Sequence, residues 1–106
     1  MVASKICAGV DSRIRPQVTV LAEQVIFMAK KLKESKAGIR DQAIVIPYDN
    51  GGGQTGIREN PAFTAYEKLL AAYTKSLTAL RDVIGDNAPK ELSALDEMRR
   101  KFQVVK

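Results

Sequence analysis

Apolar residues recur at alternating spacings of three and four along two long stretches of this chain. In the first stretch they are Val18, Leu21, Val25, Met28 and Leu32, and in the second they are Tyr66, Leu70, Tyr73, Leu77, Leu80 and Ile84. In an α-helix, this spacing brings the residues of each stretch onto one face. The pattern therefore predicts two long amphipathic helices, each with one apolar face to bury.

The first and the third predicted helices begin at prolines. Pro16 fits only the first turn of a helix, and Gly38 is a natural residue to end one, so we predict a helix over 16–37. A weaker apolar stripe follows Pro89 and predicts a shorter helix over 89–102.

The second predicted helix has a clear beginning and a clear end. Asn60 can cap the first turn with its side chain, and Pro61 suits the first helical position because that position needs no backbone donor. Gly85 follows the last apolar residue of the stretch and ends the helix. These signals together predict a helix over 61–84.

A short β-like segment with glycine-rich turn chemistry lies between the two long helices. Residues 43–48 read AIVIPY, a largely β-branched run, and the next five read DNGGG, in which asparagine and glycine tolerate positive φ. We predict a β-hairpin over 43–58. Side chains alternate along a strand, so Ile44, Ile46 and Tyr48 are expected on one face.

Two long helices joined by a connection that reverses the chain are expected to pack antiparallel. The predicted fold is therefore mainly α: an antiparallel long-helix hairpin with a short β-hairpin at its tip and a short C-terminal helix, in a single domain over 1–106. Apolar side chains outside the two stretches then stay uncovered, which predicts self-association. The candidate oligomerisation residues are Val20, Ile26, Phe27, Ile44, Ile46, Tyr48, Phe63 and Leu69.

The net charge of +5 is concentrated in the first forty residues, where eight lysines and arginines stand against three acids. A basic excess at one end suggests an anionic partner, and nucleic acid is the commonest. The candidate DNA-binding residues are Lys30, Lys31, Lys33, Lys36 and Arg40, with Arg99, Arg100 and Lys101 as a second cluster. The alternative is that the lysines only solvate a helix end and complement its dipole.

The residue types present do not favour a catalytic function. The chain has no histidine and a single cysteine, Cys7, so Ser-His-Asp and Cys-His arrangements are excluded. The glycine-rich segment lacks the Gly-Lys-Ser/Thr of a P-loop. We therefore predict no catalytic residue, no metal site and no cofactor. No apolar run reaches the roughly 18–20 residues of a membrane span, and no secretory apolar region is present, so we expect a cytoplasmic protein.

The order of these features resembles the small terminase subunits of tailed bacteriophages. The resemblance rests on a lysine-rich helix end, a glycine-bearing β-turn, the segment from Gly56 to Asn60-Pro61 that opens a long helix, and the sequence DNAPKELSALDEMRRKF after Gly85. It covers about 16–102. The chain departs from many members of this family because only about 15 residues precede the first long helix. That is too few for the helix-turn-helix segment that those members carry.

The resemblance implies a concrete function. Small terminase subunits assemble into rings, recognise the packaging site on viral DNA and present it to the large terminase subunit, which carries the ATPase and the nuclease. The implied partners are double-stranded DNA, the large terminase subunit and further copies of the same chain. Without an element suited to a DNA groove, we expect binding through charge and shape, with little sequence readout.

Two other functions agree with the same sequence features. The first is a helical-hairpin module for protein interaction, an adaptor or a chaperone, that does not bind DNA. The second is an architectural DNA-binding dimer, which binds the duplex with a steep salt dependence and never forms a ring. The native mass in solution and the affinity for DNA distinguish these alternatives.

Overall fold

The computed structural model describes residues 2–43, 45–49, 55–85 and 88–102 of the chain. In chain order, the elements are α1 (Ala3–Ile6), α2 (Arg15–Ile39), β1 (Val45–Asp49), β2 (Thr55–Glu59), α3 (Pro61–Ile84) and α4 (Lys90–Phe102). The predicted mainly helical fold, with its long-helix hairpin, its antiparallel β-hairpin and its C-terminal helix, is confirmed. Within the described ranges, no helix combines the length and the apolar character needed to cross a lipid bilayer.

Helix α2 is longer at both ends than the predicted range 16–37. It begins one residue earlier, with Pro16 in its first turn as expected, and it continues through Gly38 to Ile39. The prediction that Gly38 ends the helix was therefore wrong. Continuing the helix buries Ile39, which is only 8% exposed. That burial outweighs the cost of about 1 kcal/mol for a glycine inside a helix.

Helix α3 has the predicted bounds and both predicted caps. The side-chain oxygen of Asn60 accepts a hydrogen bond of 3.0 Å from the N–H of Ala62, and Gly85 ends the helix with a φ of 78°. The amide nitrogen of Asn60 also donates to the side-chain oxygen of Gln42 at 3.0 Å and to the carbonyl of Ala43 at 2.9 Å. One buried side chain therefore caps α3 and ties it to the segment that follows α2.

The buried face of α2 differs in part from the predicted one. The inward-facing residues of its first five turns are Val18, Ala22, Val25, Ala29 and Leu32, whereas Leu21 and Met28 are half-buried beside this line. Helix α2 packs against α3 and also against α1 and α4. Ala22 and Ala29 therefore lie at the centre of its buried face, although the spacing of large apolar residues does not identify them.

Two tyrosines of α3 fasten α4 to the long-helix hairpin. The hydroxyl of Tyr66 donates to the carbonyl of Phe102 at 2.5 Å, and the hydroxyl of Tyr73 donates to the carbonyl of Leu95 at 2.6 Å. Tyr66 and Tyr73 are seven residues apart on α3, and their partners Phe102 and Leu95 are seven residues apart on α4 in the reverse order. The two helices therefore run antiparallel, with two turns of each between the two bonds. Both tyrosines are fully buried, which confirms them as core residues. Helix α4 begins at Lys90, one residue after the predicted start.

The sequence pattern did not predict that the N-terminal segment belongs to the core. The side chains of Ala3, Ile6, Cys7 and Val10 are all buried, and α1 contacts both α2 and α4. The guanidinium of Arg15 donates to the carbonyl of Val10 at 2.7 and 3.1 Å, which holds the turn between α1 and α2. The spacing of these four apolar residues is helical, so a signal was present in the sequence.

The β-hairpin extends beyond the helices. Strands β1 and β2 pair antiparallel with Pro47 opposite Ile57, and the predicted glycine turn at 50–53 lies outside the described residues. The contacts of the hairpin are mainly between its own two strands. The molecule measures 63 × 23 × 18 Å with a radius of gyration of 18.0 Å. A compact chain of this length would have a radius of about 13 Å, so the shape is elongated.

A basic cleft between the ends of two helices

A cleft of about 370 Å³ lies between the C-terminal parts of α2 and α4. We call it the basic cleft, and its lining residues are Lys33, Lys36, Ala37, Arg40, Met98, Lys101 and Phe102. It is situated toward the end of the helices from which the β-hairpin leaves. The cleft contains residues from both basic clusters predicted for DNA binding.

Helical periodicity explains how these side chains come together. Lys33, Lys36 and Arg40 are separated by three and four positions, and Arg40, which directly follows α2, keeps a helical backbone, so the three share one side of this helix end. On α4, Met98 and Lys101 are three positions apart and face the same way. The tyrosine hydrogen bonds between α3 and α4 fix the position of α4 along the axis of the long helices. In this position, Lys101 lies beside Lys36.

The electrostatics of the basic cleft favour an anion. Among the described residues that line it, four are cationic and none is acidic. Arg40 lies 3.9 Å from Asp41, but both side chains are highly exposed, so water screens this pair. The ammonium group of Lys36 donates to the main-chain carbonyl of Lys101 and retains two further N–H donors.

The same lysines also have a purely structural effect. The C-terminal end of a helix carries a partial negative charge and carbonyls without intrahelical partners. The hydrogen bond from Lys36 satisfies one such carbonyl at the end of α4. Lys33, Arg40 and Lys101 also line the cleft, and Arg40 is in the exposed ion pair with Asp41.

The remaining predicted DNA-binding residues lie outside the basic cleft. Lys31 forms an ion pair of 3.3 Å with Glu34 and lies over the ring of Phe27, and Lys30 lines a different groove, beside α1. Arg99 is half-buried and lies 3.5 Å from Asp96, which also pairs with Arg81 across to α3. Arg100 is exposed on another side of α4. Three consecutive basic residues on one helix point in three directions, so the second cluster contributes Lys101 alone to the cleft.

The apolar part of the cleft was not predicted as a site. Ala37, Met98 and Phe102 contribute carbon surface beside the four cations. No local signal distinguishes these residues from ordinary core positions, because their joint location depends on how α4 packs against α2. A partner with both anionic and apolar groups can therefore use the whole lining.

The two core tyrosines are not available to stack on bases. Burial raises the pKa of the Tyr73 hydroxyl to about 12, and the nearby carboxylate of Asp96 adds to this shift. Burial likewise raises the pKa of Tyr66. At neutral pH, both tyrosines are neutral hydrogen-bond donors with structural roles.

The candidate oligomerisation residues differ in exposure. Val20 and Phe27 are each 57% exposed on α2. The half-buried members are Ile26, Ile46, Phe63 and Leu69, and Ile26, Phe63 and Leu69 pack against the core of their own chain. Ile44 and the side chain of Tyr48 lie outside the described residues.

Exposed apolar residues that the sequence interpretation missed lie on the opposite face of the hairpin. Val45, Pro47 and Ile57 share this face by their register, and Ile57 is 72% exposed. The prediction named only the opposite face, that of Ile44, Ile46 and Tyr48. The exposed face includes Ile57, which comes from the return strand β2. Only the observed pairing of the two strands shows that Ile57 lies opposite Pro47.

The other reactive groups carry no site among the described residues. Cys7 is a free thiol that is completely buried in the core, and the described part of the chain holds no group of three potential metal ligands. Hydrogen bonds from the side chain and backbone of Arg13 lower the pKa of the Asp11 carboxyl. This pair stabilises the turn before α2.

Comparison with known proteins gives no independent assignment. No family model matches this chain, and no curated protein or solved structure shows significant similarity to it. The resemblance to small terminase subunits therefore stays a prediction from the sequence. The function has to be argued from the geometry of the chain itself.

Proposed function

We propose that this protein binds double-stranded DNA through the basic cleft and acts, as an assembly of several copies, as a non-catalytic DNA-packaging protein of the small-terminase type. In this proposal, it binds packaging-site DNA in the host cytoplasm and recruits the large terminase subunit. The large subunit supplies the ATPase and nuclease activities.

The observation that supports DNA binding is the convergence of two basic clusters. Lys36 and Lys101 are 65 positions apart in sequence, yet they are in contact, with Lys33 and Arg40 beside them. Four lysine and arginine side chains line one cleft, and no acid is present among the described residues of that lining, so they form a local positive potential. Phosphate groups of a nucleic acid backbone are the commonest ligands of such a surface.

The shape of the site supports backbone contact rather than base readout. The cleft is open, and it lies between helix ends instead of presenting a helix that could enter the major groove. Each cation can neutralise one phosphate, so up to four phosphates are contacted per copy. The logarithm of the binding constant should then fall with the logarithm of the salt concentration, with a slope of about −3.6 per copy.

Two features support the assembly part of the proposal. The elongated shape exposes a two-stranded hairpin that is marginally stable by itself in water. Val20 and Phe27 on α2 and Ile57 on β2 are each more than half exposed. Association of several copies would cover such residues and multiply the number of DNA contacts. The packaging role itself rests on the sequence resemblance.

The apolar residues in the cleft favour a second candidate, a protein-interaction module. An acidic amphipathic helix could place its carboxylates against Lys33 and Arg40 and its apolar side chains against Met98 and Phe102. This is the adaptor or chaperone alternative. It makes an opposite prediction, because such a protein would prefer the peptide over duplex DNA at physiological salt.

The test is a titration of the purified chain into a labelled duplex at several salt concentrations between about 50 and 200 mM. The proposal predicts binding that weakens steeply with salt and changes little with DNA sequence. Light scattering on the same sample reports the native mass. Absence of duplex binding at the lowest salt would overturn the DNA proposal, and preferential binding of an acidic helical peptide would favour the second candidate.

A further inference from the structure

Phe27 lies on the side of α2 that faces away from the core. It is 57% exposed, as is Val20 two turns earlier on the same side, and Val2 of the N-terminal segment is 51% exposed. A groove of about 370 Å³ runs beside Phe27 between α1 and α2, and Val2, Thr19 and Ile26 contribute to its lining. The surface therefore combines a protruding aromatic ring with an adjacent apolar groove.

From this surface we infer that two copies of the chain associate through their α2 helices about a two-fold axis that passes between the two Phe27 rings. The ring of each copy enters the groove between α1 and α2 of the other. This inference specifies a contact for the assembly part of the proposed function. It does not depend on DNA binding.

The charges around Phe27 complement themselves under such an axis. Glu23 precedes Phe27 by four residues and Lys31 follows it by four, so the three side chains form one ridge on the helix surface. In the commonest class of helix packing, two such ridges lie side by side at an interaxial angle of about −50°. The two-fold axis makes the ridges run in opposite directions, so Glu23 meets Lys31 of the partner subunit and Lys31 meets Glu23 of the partner subunit.

The neighbouring side chains are compatible with this packing. On the α1 side of the ridge, Ile26 and Lys30 line the same groove that receives the ring of the partner subunit. Lys31 already lies over Phe27, with 5.6 Å between its ammonium nitrogen and the ring centre. Its ion pair with Glu34 is exposed and weak, so little free energy opposes a change of partner.

The contact leaves the basic cleft open. Lys33, Lys36 and Arg40 lie on the side of α2 next to α4, whereas the ridge of Phe27 faces away from the core. A dimer would therefore present two basic clefts at once. The exposed hairpin face with Ile57 also stays free, so a second contact can extend the dimer into a larger assembly.

The first experiment measures the self-association of the full chain without DNA, by sedimentation at a series of concentrations. We expect Phe27→Ser to raise the dissociation constant of the two-fold contact roughly 30-fold or more, because a central aromatic anchor is lost. The matched control is Val83→Ser, which removes an exposed apolar side chain of α3 outside the proposed contact. A chain that is monomeric at all concentrations, or association that both variants affect equally, would overturn the inference.

A charge exchange tests the symmetry of the contact. Glu23→Lys places two like-charged pairs in a homodimer, and so does Lys31→Glu, so each variant alone should dimerise more weakly than the parent chain. An equimolar mixture of the two variants restores both attractive pairs and should form a heterodimer, which native mass spectrometry can count. A mixture that associates no better than the separate variants would contradict the two-fold arrangement, while circular dichroism verifies that each variant is folded.

The DNA titration separates this inference from the proposed function. Loss of the dimer in Phe27→Ser together with retained binding of DNA by each copy supports the contact and leaves the cleft proposal intact. An unaffected dimer in a protein that binds DNA overturns the contact alone.

Discussion

The hydroxyl of Tyr66 donates a hydrogen bond to the main-chain carbonyl of Phe102, with 2.5 Å between the two oxygen atoms. Phe102 is the last residue of α4, so its carbonyl has no partner within the helix. The Tyr73 hydroxyl makes the corresponding bond to Leu95, whose carbonyl lies inside α4 and already accepts a helical hydrogen bond. The two bonds therefore look alike but differ in what their loss leaves behind.

Tyr66→Phe should destabilise the protein more than Tyr73→Phe does. In the first variant, a buried carbonyl is left without a donor, which costs about 1–3 kcal/mol of unfolding free energy. In the second variant, the carbonyl keeps its helical partner, and we expect a loss of about 1 kcal/mol or less. Urea unfolding of both variants measures the difference. Equal losses would show that the carbonyl of Phe102 finds another hydrogen-bond donor when the Tyr66 hydroxyl is removed.

The stability of the protein should fall as the pH rises from about 10 to about 12. The pKa of Tyr73 is about 12 in the folded chain and near 10 in the unfolded chain. In this interval, the unfolded chain has released a proton that the folded chain still holds, so the free energy of unfolding decreases with pH. Below pH 10, both states keep the proton and Tyr73 causes no pH dependence.

The expected slope from Tyr73 is at most about 1.4 kcal/mol per pH unit. Lysines also titrate in this range, so the comparison with Tyr73→Phe is essential. That variant should show a shallower decline between pH 10 and 12 than the parent chain. Parallel declines in the two proteins would mean that the folded-state pKa of Tyr73 is not raised.

Asn60→Ala should be among the more damaging single substitutions outside the apolar core. It removes the cap of α3 and both hydrogen bonds to the segment after α2. Loss of a cap costs about 1 kcal/mol, and each further hydrogen bond contributes about 1 kcal/mol. We expect a total decrease of about 2–3 kcal/mol in the free energy of unfolding.

Asn60→Asp is the matched control for this prediction. It keeps the oxygen that caps α3 and replaces the donor that reaches Gln42 and Ala43 with a second oxygen. Denaturant unfolding should place it between the parent chain and Asn60→Ala. If both substitutions leave the stability within about 0.5 kcal/mol of the parent, the link through Asn60 does not hold the two helices together.

Neutralising lysines of the basic cleft should weaken DNA binding and flatten its salt dependence. We expect Lys33→Gln combined with Lys101→Gln to reduce the magnitude of the salt slope by about 2, because two phosphate contacts are lost. Lys36 is left intact in this variant because it also caps α4. Fluorescence anisotropy with a labelled duplex gives the slope.

The control for the cleft is Lys68→Gln combined with Lys75→Gln. It removes the same net charge from exposed positions of α3 that do not line the cleft. The slope of this variant should stay close to that of the parent chain. Equal changes in the two double variants would mean that attraction to DNA comes from the overall charge of the protein and not from the cleft.

Local chemistry made much of the fold predictable. Asn60, Pro61 and Gly85 determine where α3 begins and ends, because capping and backbone preference act within a few residues. The same kind of reasoning was wrong at Gly38, where burial of Ile39 prevails over the preference of glycine to end a helix. Tertiary burial therefore prevailed where the local preference was worth only about 1 kcal/mol.

The candidate site was predictable only as a set of basic residues. Eight positions were proposed from the sequence, and the structure brings Lys33, Lys36, Arg40 and Lys101 together while it separates the others. Lys31 and Arg99 instead form ion pairs with Glu34 and Asp96. Charge counts do not carry this information, because neighbouring residues on a helix differ by about 100° in direction.

The sequence by itself determined the two long helices, the β-hairpin and both ends of α3, because periodicity and backbone preference are properties of neighbouring residues. Only the tertiary structure decided that the N-terminal segment joins the core and that α4 lies with Lys101 against Lys36. These outcomes depend on which surfaces exclude water together. That is a property of the packed chain and not of any segment within it.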